Sequence, residues 1–163
     1  MSSPNPRGPE SAGVSAVLAL VLSSVGFFAL AVFGLGALSV ATDTDIISVP
    51  GLGPVPGAAG MAAAVAAFAL ALGGALRRKH PSFLSVPTTA LTTALAHLVV
   101  VWFGVVIASG ELVTATAVAG QFVRGGASAV LLVAAAIAGW SGIALRRTRA
   151  GRPRWPWEQN DEE

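Results

Sequence analysis

Four stretches of this chain contain no Asp, Glu, Lys or Arg: Gly13 to Ala41, Gly57 to Leu76, Val86 to Ser109 and Ala127 to Leu145. A helix crossing the hydrocarbon core of a bilayer needs about 20 mainly apolar residues, and each stretch supplies that length or close to it. In hydrocarbon no water is at hand for the peptide groups, so each run must satisfy its own backbone and is expected to be α-helical. Alanine-rich runs without strict alternation do not read as barrel strands. The expected fold is therefore an all-α integral membrane protein: four transmembrane helices in a compact bundle of two hairpins.

Composition supports this. Only 11% of the 163 residues are charged and 54% are hydrophobic, against about 25% charged for soluble domains. Cys is absent, as is Tyr, which removes disulfides, thiolate metal ligands and two families of nucleophile. The first span resembles a signal peptide in ending on Ser39-Val40-Ala41. Its apolar run is about twice the usual length of roughly 15 residues, and it is expected to stay uncleaved.

The charges lie in blocks between the spans. Arg77, Arg78 and Lys79 follow the second, and Arg146, Arg147, Arg149, Arg152 and Arg154 follow the fourth. The other two loops carry Asp43, Asp45 and Glu111, with Arg124 the one basic residue there among the 10 Lys and Arg of the chain. Basic residues stay on the cytoplasmic side, so both termini are expected in the cytoplasm, at a plasma membrane. Arginine far outnumbers lysine, and Ala and Gly abound. That usage follows GC-rich codons and points to a bacterial inner membrane. Three parts are expected: a short cytoplasmic N-terminus over 1–12, the membrane domain over 13–145, and a basic, Trp-containing cytoplasmic tail over 146–163.

Helices in lipid associate through close contact of small residues and through polar bonds. Ala59, Ala63, Ala67, Ala71 and Ala75 recur every fourth residue in the second span and are the expected close-approach stripe. Ala134, Ala138 and Gly142 form a shorter one, as do Ser15, Ala19 and Ser23. Leu112 to Val123 is expected to be a short interfacial helix dipping Leu112, Ala119 and Val123 into lipid, or else an early start of the fourth helix near Thr114. GGALRRKH and SGIALRRTR close the second and fourth spans alike, which any helix stopping at a basic cytoplasmic face would do.

The polar content is concentrated in the third span. Thr89, Thr93 and His97 share one face by their spacing of four, with Ser85 placed to cap the helix start. An ionisable side chain inside a membrane is a functional candidate by default. No carboxylate lies within any span to hold a transported proton, and the buried glutamate of small multidrug carriers has no counterpart. His80, the other histidine, sits in a loop, so neither a metal nor a haem finds its ligands. The bland alternative is glue: His97 hydrogen-bonded to Ser23, Ser24 or a threonine of a neighbouring helix.

Elsewhere the candidates are sparse. Asp43, Asp45 and Glu111 are three carboxylates without a calcium-loop pattern. The tail residues Arg146, Arg147, Arg149, Arg152, Arg154, Trp155 and Trp157 suit contact with anionic lipid headgroups or with a partner. Nucleic acid is not an expected partner, since the basic run is short and no folded reader accompanies it. No phosphate loop, nucleophile elbow or zinc motif occurs. No catalytic, cofactor or metal residues are therefore assigned, and an enzyme is not expected. The expected function is a small non-enzymatic, multi-pass membrane protein acting as an accessory, assembly or scaffold subunit, through a membrane-protein partner or a homo-oligomer. The alternative is a small oligomeric transporter or channel using the Thr89/Thr93/His97 face.

Overall fold

A computed structural model describes residues 14–43, 53–78 and 81–147. Asp45, Lys79, His80, the N-terminal 1–12 segment and the tail residues Arg149, Arg152, Arg154, Trp155 and Trp157 lie outside the described residues. Five helices form: α1 Ala16–Thr42, α2 Val55–Leu76, α3 Ser85–Ser109, α4 Leu112–Arg124 and α5 Ala127–Arg147. α1, α2, α3 and α5 are long and apolar enough to cross a membrane, and they match the four charge-free runs to within a few residues. The chain is a multi-pass membrane protein.

Helix ends follow local chemistry. Ser15 caps α1 by accepting from the Leu18 amide at 3.1 Å. The helix stops at Asp43 in the left-handed region, φ 49°, a conformation that short polar side chains tolerate. Pro56 lies in the first turn of α2, where a missing N–H costs nothing. At the start of α3 the expected cap is displaced by one turn: Ser82 Oγ accepts from the Leu84 amide at 3.2 Å, while Ser85, already helical, donates its hydroxyl to the Ser82 carbonyl. Gly110 ends α3 with φ 72°, its amide donating to the Val106 carbonyl at 2.8 Å.

The long helices alternate in direction. Leu20 faces Gly73 and Phe27 stacks on Phe68, so α1 and α2 are antiparallel. Gly60 lies against His97 and Val101, and Gly104 against Pro56, which pairs α2 with α3. Gly142 meets Ser23 and Gly34 meets Val130, bringing α5 back beside α1. α3 also packs on α5, while α1 and α3 stand diagonally opposite without contact. The buried seam of α1 is Ala19, Ser23, Phe27, Ala31 and Leu35, one residue per turn. In α2 the buried seam is Gly60, Ala64, Phe68, Leu72 and Leu76. Of the expected stripe only Ala75 is buried; the rest lies one residue aside, with Ala59 exposed and Ala63, Ala67 and Ala71 half-buried. Ala134, Ala138 and Gly142 of α5 are buried as expected.

α4 departs from the sequence expectation in its packing. It folds back antiparallel along the second half of α3, with Trp102 Nε1 donating to Thr116 Oγ1 at 3.3 Å and Phe122 reaching the His97 ring. Ala115 is buried against Val101 and Val105, with Val118 and Phe122 beside them. Leu112 and Val123 point outward as expected, while Ala119 is half-buried. Because α5 is also antiparallel to α3, α4 and α5 run the same way and are separated by Gly125-Gly126, Gly126 having φ 87°. One further helix-length of chain is thus inserted at one end of a four-helix bundle.

The opposite end is closed by the basic end of α5. Arg146 donates to the Val14 carbonyl at 3.1 Å, tying the last helix to the segment before α1. The Arg147 guanidinium lies 4.9 Å from the centre of the Phe83 ring, which in turn stacks at 6.1 Å on Trp140.

Candidate functional site

Thr89, Thr93 and His97 share one buried face of α3, exposed by only 2%, 0% and 3%. The spacing of four brought them together as the sequence implied, but their bonding differs from the expected glue. Thr93 donates its hydroxyl to the Thr89 carbonyl at 2.8 Å, one turn back on its own helix. A helical threonine always has that carbonyl within reach, so a neighbouring helix is not needed to satisfy it. Among the described residues the hydroxyls of Ser23 and Ser24 on α1 have no hydrogen-bond partner, and neither has His97 Nδ1. The diagonal placement of α1 and α3 explains this: the serines expected to meet His97 are on the helix that α3 does not touch.

What surrounds the His97 ring instead is small, aromatic or empty. A Cβ built on Gly60 would stand 3.1 Å from His97 Cδ2 and Nε2, and 2.5 Å from Val101. The missing side chain at position 60 is therefore what lets α2 lie against the imidazole. Phe122 of α4 covers another side, its ring centre 5.5 Å away and tilted by 60°. Beside the ring is a cavity of about 200 Å³. Phe28, Val32 and Leu35 of α1 line it together with Gly57, Ala58 and Met61 of α2, Phe122 of α4 and His97 itself. Among the described residues that line it, His97 is the one with a polar side chain. Phe28, Val32 and Ala58 are themselves exposed and form its mouth. Thr89 and Thr93 do not line it.

Gly60, Met61 and Phe122 were not singled out by sequence. Gly60 is masked by the alanines around it, and Phe122 becomes relevant only because α4 folds back. Of the carboxylates considered for a cation, Asp43 ends α1, and Glu111 Oε2 accepts from Thr114 at 2.7 Å. No group of three metal-ligating side chains forms among the described residues. Arg124 donates to the Gly120 carbonyl at 3.3 Å, satisfying the end of its own helix. Arg146 and Arg147 bind Val14 and Phe83 as described above.

Residues 10–163 match the model of the Family of unknown function (DUF6121). No curated protein matches the chain, and no solved structure does.

Proposed function

This chain belongs to DUF6121, and we propose that it is a non-enzymatic membrane subunit of accessory or scaffold type, acting through its outer apolar faces at a bacterial plasma membrane with both termini in the cytoplasm. The observation that carries this reading is the division of α3 into two faces. Thr89 and Thr93 turn inward, while Leu91, Leu95, Val99, Phe103 and Ile107 stand outward, each exposed over half or more of its surface. They recur every fourth residue and form the kind of ridge that packs into a groove of another helix. Arg146, Arg147 and the tail residues Arg149, Arg152, Arg154, Trp155 and Trp157 add a contact for anionic headgroups or a partner on the cytoplasmic side.

The test is purification from native membranes in mild detergent, followed by native mass spectrometry of the chain and of Leu95→Ala/Phe103→Ala. A stoichiometric second subunit, or a second copy, that is lost in the double variant is the expected result. A monomer in both would overturn the reading. The second reading is transport along the His97 side of α3, favoured by the cavity beside that ring. Uptake or efflux in reconstituted vesicles that His97→Gln abolishes would establish it.

A further inference from the structure

The carboxylates among the described residues, Asp43 and Glu111, both stand at the α4 end of the bundle. The other end carries Arg77 and Arg78 after α2 and Arg146 and Arg147 at the close of α5, with no acidic side chain among its described residues. Arg146 is engaged, since it donates to the Val14 carbonyl. Arg147 is exposed, lies 4.9 Å from the centre of the Phe83 ring, and makes no hydrogen bond or ion pair among the described residues. A guanidinium stacked on a ring keeps the N–H groups along its edge free, in the fork that matches two oxygens of a phosphate. Phe83 stacks in turn on Trp140, so this charge has a firm backing. Trp140 lies two turns before Arg147 on α5, about 10 Å further along the axis at 1.5 Å per residue. Val133, Ile137 and Trp140 share one outward face, each about half exposed.

We propose that Arg147, backed by Phe83 and Trp140, is a selective site for one anionic phospholipid. Its phosphate takes the free edge of the Arg147 guanidinium, its glycerol lies beside Trp140, and one acyl chain follows Ile137 and Val133 along α5. The apolar column selects a lipid over a soluble phosphate ester, which would leave that column uncovered. The charge balance selects an anionic headgroup, because the choline of a zwitterionic lipid would enter an end with four guanidinium groups and no described carboxylate to receive it. The proposal rests on the headgroup contact in the reading above and gives it a place. It uses α5, whereas Leu95 and Phe103 stand on α3, so either test can fail while the other succeeds.

The experiment is native mass spectrometry of the full-length protein in detergent, titrated with dioleoylphosphatidylglycerol and, separately, with dioleoylphosphatidylcholine. The expected result is a first phosphatidylglycerol bound about 10-fold tighter than a first phosphatidylcholine, the increment of a hydrogen bond to a charged group. Arg147→Gln should remove most of that preference. Arg78→Gln takes the same charge from the same end and should change the preference by less than about 2-fold, since a charge away from the site is screened. Phe83→Leu keeps every charge and should weaken phosphatidylglycerol about 3-fold, the worth of an exposed cation–π contact. All three positions are exposed, so folding is not at stake. Glycerol phosphate in equal amount should not displace the lipid. Equal affinity for the two lipids overturns the proposal, as does indifference to Phe83→Leu. So does a loss in Arg78→Gln as large as in Arg147→Gln, which would make the preference a diffuse property of the basic end. Displacement by glycerol phosphate would make the ligand a free phosphate ester and overturn it too.

Discussion

The two ends of the bundle use the same spacing of small residues with opposite results. Towards the Arg146 end, α1, α2 and α5 close on one another. Phe27 and Phe68 stack with ring centres 4.7 Å apart, and a Cβ added at Gly142 would press on Ser23 and Leu72, 3.2 Å from a carbon of each. Towards the α4 end, Gly60 allows an equally close approach of α2 to α3, yet a cavity of about 200 Å³ remains beside His97. The difference comes from which helices meet. At the first end three helices share one seam, whereas at the second α1 is diagonal to α3 and a short helix covers the gap. Small residues bring backbones together in pairs; filling the space among three or four helices takes large side chains in the right places.

The comparison is broken or sharpened by substitution, read as stability to denaturation in mixed micelles. Phe68→Ala should have the largest effect, a loss of about 3 kcal/mol, the low end for a fully buried aromatic since lipid rather than water is the alternative environment. A loss under about 1 kcal/mol would mean the closed end is no better packed than the other. Gly142→Ala should cost about 2 kcal/mol, because the new methyl meets Ser23 and Leu72 where overpacking has no void to relax into. A neutral outcome would show that α1 and α5 slide apart freely. His97→Leu should have the smallest effect and the opposite sign, a gain of up to about 1 kcal/mol, since it removes a buried polar group without a partner. A loss of 2 kcal/mol or more on the same scale would instead make His97 an interhelical bond.

Hydropathy made the four spans legible because, in lipid, composition alone decides whether a segment of about 20 residues can cross. Expected and observed boundaries differ mostly by a turn or less. The phase of the contacts was less legible. In α2 14 of the 22 residues are Ala or Gly, so several stripes with a period of four coexist, and the large residues Phe68, Leu72 and Leu76 choose the buried one. The face shared by Thr89, Thr93 and His97 was readable from spacing, because that follows from helix geometry. Their partners were not, since the hydroxyl of Thr93 found its own helix and the serines of α1 lie across the diagonal. The cavity was invisible to sequence because it depends on α4 folding back to bring Phe122 against His97.

The position of α4 sets an order of assembly. Most of its contacts are with α3, the helix synthesised immediately before it, and closing so short a loop costs little chain entropy. The α3–α4 hairpin is therefore available as soon as both segments leave the ribosome. The seam between α1 and α5 is the opposite case, sealed by a bond between Arg146 and Val14, 132 residues apart. α1 waits beside α2 with its small-residue face open until nearly the whole chain has been made. A chain interrupted before α5 would present that face, with Ala19 and Ser23 uncovered, to whatever other helix the membrane supplied.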